Sequence, residues 1–183
     1  MHQLKVPVLF AQNRSSYFNF PELFDVYDAK RDALTFEKRG PIIAHPPCRL
    51  WSQFRGLANW VPAEKWYFPW SIGLVRRYGG IVEHPRSSGG WAKYCSHALA
   101  KPEQYDSYGG FLIFINQFDF GLPFNKHTGL YIVGANKNDL PRIPLNMDAR
   151  QYVMARSKLS STRGLKVASK WLQQKCAHIL RTH

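Results

Sequence analysis

The sequence has few cysteines, few acidic residues and no long apolar run, and each shortage excludes a class of protein. Its three cysteines, Cys48, Cys95 and Cys176, form neither an even framework nor a Cys-x-x-Cys pair, which argues against a disulfide scaffold. No window approaches the roughly eighteen uninterrupted apolar residues of a membrane-spanning helix. Residues 1–12 lack the long apolar stretch and cleavage site of a signal peptide. These absences predict a cytoplasmic protein without a membrane partner.

The scarcity of acids leaves a large positive charge. Twelve Asp and Glu stand against 25 Lys and Arg, which gives a net charge of +13 and a pI near 9.9. A field of this sign concentrates polyanions, and nucleic acid gains further because each neutralised phosphate releases counterions. The charge therefore predicts nucleic acid or a nucleotide as the partner. A plain solvated surface and an acidic protein partner are the alternatives.

The pattern of apolar residues indicates one α/β domain spanning residues 1–183. Hydrophobic residues make up 45% of the chain, which is enough for a core that needs no disulfide bonds or metal ions to stabilise it. Short β-rich runs alternate with a helical pattern through the first 85 residues, which favours a Rossmann-like, mostly parallel sheet with flanking helices. An antiparallel hairpin is expected in the C-terminal half. The predicted strands are 4–11, 24–27, 41–45, 80–83, 111–118 and 130–133, and the predicted helices are 62–78, capped by Asn59 and kinked at Pro69, and 165–180.

A cysteine follows the third predicted strand, in the segment His45-Pro46-Pro47-Cys48-Arg49. The carboxyl ends of strands gather the ligand-binding residues of open α/β sheets, and two prolines fix the loop there. Arg49 is expected to favour the thiolate, the nucleophilic form. The pattern predicts a nucleophilic Cys48, and the alternative is a buried cysteine acting as a small apolar residue.

This Pro-Pro-Cys segment resembles the catalytic loop of the cytosine-C5 DNA methyltransferases. Two further segments follow in that family's order: Val82-Glu83-His84-Pro85 resembles its strand-borne Glu-Asn-Val motif, and residues 118–134 resemble its later hairpin, whose basic residues hold the base. The resemblance implies that Cys48 attacks a pyrimidine C6. It also implies that Glu83 holds the N3 edge, and that Lys126 takes the place of an arginine.

The same resemblance implies S-adenosylmethionine as cofactor, with Phe10, Asp28 and Pro46 as its contacts. In nucleotide-binding α/β folds an acid at the end of the second strand commonly holds a ribose hydroxyl, which suits Asp28, although a loop role is the alternative. The family's Phe-x-Gly-x-Gly turn is replaced by Phe10-Ala11-Gln12-Asn13-Arg14, without glycine. A non-catalytic nucleic-acid-binding protein that lost its cofactor site is therefore the alternative function. A small basic protein of this kind would suit a bacteriophage.

Basic and aromatic residues interleave in 49–55 and 86–93, where cations can hold phosphates while rings stack on bases. The alternative is that these rings are core residues with solvated charges beside them. Segments 46–54 and 121–125 also resemble thymidylate synthase, at a spacing unlike that family's. Zinc-type ligands occur, but the Pro-Cys-x-x-Cys of zinc deaminases is missing and no metal is predicted. The residues expected to contact nucleic acid are Arg49, Arg55, Arg86, Lys93 and Asn125.

Overall fold

A computed structural model describes residues 5–37, 39–52, 55–57, 59, 61–120, 122 and 124–140. The helix predicted at 165–180 lies outside the described residues, as does Phe54. Within the described part, six strands form one mixed sheet in the order β2-β1-β3-β4-β6-β5. The strands are β1 Val6–Leu9, β2 Phe24–Val26, β3 Ile42–Ala44, β4 Gly80–Pro85, β5 Gly110–Asn116 and β6 His127–Val133.

The predicted fold class is confirmed. Strands β1 to β4 pair in parallel, and β6 runs antiparallel between β4 and β5. The boundaries differ where local geometry intervenes. The first strand ends at Leu9 because Phe10 turns the chain with a positive φ of 59°. The fifth ends at Asn116 because Gln117–Phe120 forms a 3-10 turn.

Three α-helices among the described residues flank the sheet: α1 Glu64–Tyr78, α2 Gly89–Tyr94 and α3 Ser96–Ala100. The predicted cap at Asn59 is wrong, because α1 begins after Ala63 and the Asn59 carbonyl instead accepts a hydrogen bond from Arg49. Pro69 lies inside α1, which continues past it to Tyr78. Helix α1 contacts β3, β4 and β6, so it packs across three neighbouring strands in the middle of the sheet.

Alternating residues of the central strands enter two separate cores. Ile42, Ala44 and Val82 pack in the core that contains the α-helices, whereas Ile43 and Ile81 pack in the core on the other face. This alternation follows from the two-residue period of a strand. The same alternation determines on which face of the sheet the next residue of each strand lies, and these next residues line the functional site.

Gly80, where α1 meets β4, is required by both conformation and space. Its φ is +119°, and a Cβ would lie 2.1 Å from the Ile42 carbonyl oxygen. We expect Gly80→Ala to lower the free energy of unfolding by more than about 3 kcal/mol, measured by urea denaturation followed by circular dichroism. The matched control is Gly73→Ala within α1, where a Cβ would meet no heavy atom of the described chain within 4 Å. It should stabilise by about 1 kcal/mol, and equal midpoints for the two variants would contradict the prediction.

Candidate functional site

A cavity of about 560 Å³ opens at the carboxyl ends of the parallel strands. Its walls come from the loop after β1, the loop after β3, the end of β4 and the β5–β6 hairpin. Such an edge is where open α/β sheets bind ligands, and the volume lies in the ordinary range for small-molecule sites. The residues that could do chemistry or hold a ligand are Gln12, Ser15, His45, Cys48, Glu83, Gln117, Asn125 and Lys126.

The pairing of β3 with β4 brings His45 and Glu83 side by side. Ala44 is in register with Val82 in a parallel ladder, so the next residue of each strand is adjacent to the other. Both follow a residue of the helix-covered core and therefore face the opposite side of the sheet. His45 Nδ1 lies 3.0 Å from Glu83 Oε2.

Glu83 is a largely buried carboxylate surrounded by donors. Besides His45, Gln117 Nε2 donates to Oε1 at 3.3 Å, and Lys126 Nζ lies 3.5 Å from the same oxygen. Burial alone would raise the pKa of Glu83, but the His45 hydrogen bond and the Lys126 charge outweigh it and lower that pKa to about 2. Glu83 is therefore an anion at neutral pH and offers hydrogen-bond acceptors to a ligand.

Cys48 lies in the same cavity as Glu83, on a turn closed by Trp51, whose N–H donates to the Cys48 carbonyl at 3.0 Å. The side chain is half-buried. Burial and the Glu83 charge raise the pKa of the Cys48 thiol, and Lys126 and Arg49 only partly oppose them. Arg49 thus favours the thiolate in direction, as expected, but burial and Glu83 outweigh it, and its guanidinium also pairs with the buried Glu64 carboxylate.

Neutralising Glu83 should make Cys48 more reactive. In Glu83→Gln the negative charge that disfavours the thiolate is lost, so we expect alkylation by iodoacetamide at pH 7.5 to accelerate about 3- to 10-fold, measured by peptide mass spectrometry. Lys126→Gln removes the opposite charge and should slow the reaction. Cys95 provides an internal reference, because burial raises the pKa of its thiol to about 12 and it should stay unmodified. Equal Cys48 rates in the two variants and the parent protein would refute this coupling.

Asn116, at the end of β5, fixes the backbone of the turn that carries Lys126. The Asn116 carboxamide oxygen accepts from the Lys126 N–H at 3.0 Å, and its nitrogen donates to Asn125 Oδ1 at 2.7 Å. Gln117 N–H donates to the Lys126 carbonyl at 3.0 Å, and its side chain also donates to Thr128 Oγ1 at 3.0 Å. The turn thus fixes Lys126 and Gln117 against the same carboxylate.

The His84 ring lies on the face of β4 opposite Glu83, in the helix-covered core, and forms part of the cavity wall. Its ring centre lies 4.5 Å from that of Phe68 and 5.9 Å from that of Trp91, and it is 1% exposed. Within the described part of the chain, neither ring nitrogen has a hydrogen-bond partner in good geometry, although the Pro47 backbone lies near enough to act on the ring. Burial lowers the pKa of His84 to about 4, against the opposing effects of Glu83 and the Pro47 backbone, so the ring is neutral at pH 7.

The predicted cofactor residues separate into two groups. Phe10 and Pro46 line the cavity, whereas Asp28 is not among its walls. The Asp28 carboxylate accepts hydrogen bonds from the backbone N–H groups of Lys30 and Arg31, which lower its pKa. Asp28 is thus engaged in its own turn.

The residues predicted to contact nucleic acid are spread over the surface around the Cys48 loop and the hairpin. Asn125 lines the cavity, and Arg55 is exposed. Arg86 lies 5.0 Å from the ring centre of Phe114, and Lys93 lies 5.9 Å from the ring of Trp51. Trp91 is fully buried, which confirms the core interpretation for this ring. The neighbouring cations remain candidates for phosphate contacts.

Sequence reasoning did not identify three residues that hold Glu83 in place, namely His45, Gln117 and, behind His45, Tyr17. His45 entered only as the first residue of the segment that contains Cys48, with no role of its own. The described residues contain no cluster of three or more His, Cys, Asp or Glu able to hold a metal ion. The available signal was its position directly before Pro-Pro-Cys, at the end of a buried strand. Gln117 and Tyr17 are brought to the site only by tertiary structure.

In the described part of the chain, none of the helices has the length and apolar character needed to cross a membrane. Comparison with protein-family models gives no match for this chain. Comparison with curated proteins gives no match either.

Proposed function

We propose that the protein is a pyrimidine C5-directed transferase, similar to a cytosine-C5 methyltransferase, that acts on nucleic acid or a nucleotide through Cys48. One observation carries this proposal: a single cavity holds a cysteine, an ionised glutamate and a lysine at the carboxyl edge of a mostly parallel sheet. Segments far apart in the sequence supply these three groups. They are the residue types that C5 chemistry requires.

The C5 position of a pyrimidine becomes nucleophilic only after a thiolate adds to C6. In the proposed reaction Cys48 gives its proton to a water molecule, its sulfur bonds to C6, the C5=C6 double bond breaks, and its electron pair moves to C5 and toward N3. Lys126 supplies a cation beside this developing charge, whereas the Glu83 carboxylate accepts a hydrogen bond from the exocyclic amino group of a cytosine and so orients the ring. C5 then bonds to the methyl group as the bond between that methyl group and its donor breaks. A water molecule removes the C5 proton, and the released electron pair restores the C5=C6 double bond as the Cys48 sulfur departs.

A methyl donor would occupy the part of the cavity beside the loop that follows β1. Phe10, Gln12 and Ser15 line that part, and the aromatic ring and polar groups suit a nucleoside-containing molecule. The loop takes its one positive φ for a non-glycine residue at Phe10, so this turn forms without the family's glycines. S-adenosylmethionine, when bound, supplies an electrophilic methyl group.

Nucleic acid is the proposed partner because the positive charge is concentrated in one part of the sequence. Residues 141–183 contain nine of the 25 Lys and Arg but only one of the twelve acids, Asp148. In the described domain, by contrast, Arg31, Arg49, Arg76 and Lys126 each form an ion pair with an acid. The C-terminal sequence thus supplies uncompensated cations for a phosphate backbone.

The loop after β1 also favours a second candidate, a nucleic-acid-binding protein without catalysis. The Phe10 ring stacks on Tyr67 at 5.1 Å and meets Trp70 edge-on at 5.9 Å, so it is partly committed to α1. Titration calorimetry with S-adenosylmethionine separates the two candidates. Heat of binding supports the transferase, and no heat at millimolar ligand supports the binding protein.

The decisive experiment measures transfer of tritiated methyl from S-adenosylmethionine into DNA, RNA and free pyrimidine nucleotides. We expect incorporation at C5 of a pyrimidine in at least one of these substrates. DNA containing 5-fluorocytosine should trap a covalent complex with the protein, because fluorine cannot leave C5 as a proton does. Absence of both label and adduct with every substrate would reject the transferase.

A further inference from the structure

His45, a residue that the proposed reaction does not use, lies between Glu83 and a buried tyrosine. Its Nδ1 is 3.0 Å from Glu83 Oε2, and its Nε2 is 3.2 Å from the Tyr17 hydroxyl. We propose that His45 is a positioning residue that holds the Glu83 carboxylate toward the bound pyrimidine, and that Tyr17 fixes the His45 ring. This inference rests on the proposed function, since it assigns a partner to the proposed acid.

His45 is restrained at its backbone and at both nitrogens of its ring. Its backbone N–H donates to the Leu9 carbonyl at 3.0 Å, which fixes the end of β3 against β1. Tyr17, on the 3-10 turn Ser16–Asn19, is 4% exposed and packs edge-on against Phe24 at 5.0 Å. Because Nδ1 and Nε2 both have partners, the ring cannot turn about its Cβ–Cγ bond without losing two hydrogen bonds. A fixed ring can act as a rigid support, in the way that outer partners orient metal-binding histidines.

Glu83 needs such a support because its other partners lie on the opposite oxygen. Gln117 Nε2 and Lys126 Nζ both approach Oε1, at 3.3 and 3.5 Å, whereas His45 holds Oε2 at the shorter distance of 3.0 Å. The Lys126 side chain is 44% exposed, so it can move when a ligand enters. Without His45 the carboxylate could rotate and follow Lys126, and a displacement of about 1 Å is enough to cost about 10²-fold in rate.

The charged and titratable groups that influence Glu83 come from three parts of the chain. His45 and Cys48 lie in the loop after β3, Lys126 lies just before β6, and His84 acts from the other face of β4. Burial raises the pKa of Glu83, and the His45 hydrogen bond is the foremost effect that lowers it. Loss of that hydrogen bond must therefore raise this pKa while the other three groups remain in place.

Two substitutions separate a positioning role from a merely structural one. In His45→Asn the amide nitrogen can occupy the place of Nδ1, so the donor to Glu83 is kept. In His45→Gln the amide lies one bond farther out, at the place of Nε2, so the donor to Glu83 is lost although size and polarity are similar. Tyr17→Phe removes only the tether of the ring and should have the smaller effect of the same sign as His45→Gln.

The first measurement needs no activity: a carbon-13 NMR titration of the Glu83 carboxyl, assigned with Glu83→Gln. We expect the pKa of Glu83 to stay low in His45→Asn and to rise by about one unit in His45→Gln. The second is methyl transfer, where His45→Gln should lose about 10²-fold in kcat with little change in KM, and His45→Asn less than about fivefold. Matching thermal melting of both variants controls for folding.

Equal Glu83 titrations in the two variants, or a parent-like titration in His45→Gln, would overturn the assignment, as would equal kcat values of the two variants when the parent protein is active. The outcome is separable from that of the proposed function. If the parent protein transfers no methyl group and forms no adduct, the transferase proposal fails by itself. The carboxyl titration still reports whether His45 holds Glu83.

Discussion

Cys48→Ala is expected to abolish methyl transfer and the 5-fluorocytosine adduct, with a loss in kcat of about 10⁴-fold or more. The reason is that in the proposed reaction no other group in the cavity can form the bond to C6. Substrate affinity should remain within about threefold of the parent value, because the thiol contributes little surface to the cavity wall. The rate is measured by tritium incorporation and the affinity by fluorescence anisotropy of a labelled oligonucleotide.

Cys95→Ala is the matched control for this variant. Cys95 is 2% exposed, packs in the helix-covered core and lies outside the cavity wall. Its replacement should cost about 1 kcal/mol of stability through a small cavity and leave the rate unchanged. A Cys48→Ala protein with parent-like turnover would remove this residue from the mechanism, and equal losses in both variants would show a folding effect.

The second large effect is expected from the basic sequence that follows the described domain. Replacing Lys158, Lys166, Lys170 and Lys175 with glutamine should weaken nucleic-acid binding by about 10²- to 10³-fold at 0.15 M salt. The slope of log K against log salt should become shallower by about 3 to 4, since each lost phosphate contact releases one counterion fewer. Anisotropy titrations at several salt concentrations measure both quantities on the full chain.

The control quartet is Lys5, Lys30, Lys65 and Lys101, which are exposed on the described domain. Glutamine at these positions changes the net charge by the same amount. We expect it to reduce affinity by less than about tenfold, because the effect then comes from the general field and not from phosphate contacts. Equal losses from the two quartets would show that the charge acts only through the overall field.

The fold class could be predicted from the sequence, and so could the strands that precede Cys48 and carry Glu83, because both predictions depend on local patterns. The strand before Pro-Pro-Cys and the strand that carries Glu83 are marked by apolar runs with sharp ends. The distance between Cys48 and Glu83 along the chain gave no hint of their arrangement in space. It follows from the parallel pairing of β3 with β4, which aligns Ala44 with Val82.

Other features could not be predicted because they depend on tertiary contacts. Arg49 is adjacent to Cys48 in sequence and lowers the pKa of its thiol, but the larger opposing effect, burial of the sulfur, depends on tertiary packing that the sequence does not reveal. Gln117 reaches Glu83 only because the chain makes a 3-10 turn after β5. The position of Asp28 outside the cavity likewise depends on a backbone turn.

The protonated state of Cys48 has a further consequence for the lifetime of the protein. The thiolate is the form of cysteine that attacks peroxide, so a thiol whose pKa is raised is oxidised more slowly. The carboxylate that delays ionisation also protects the sulfur from conversion to sulfenic acid. We therefore expect Cys48 to form sulfenic acid more slowly than an exposed cysteine of ordinary pKa.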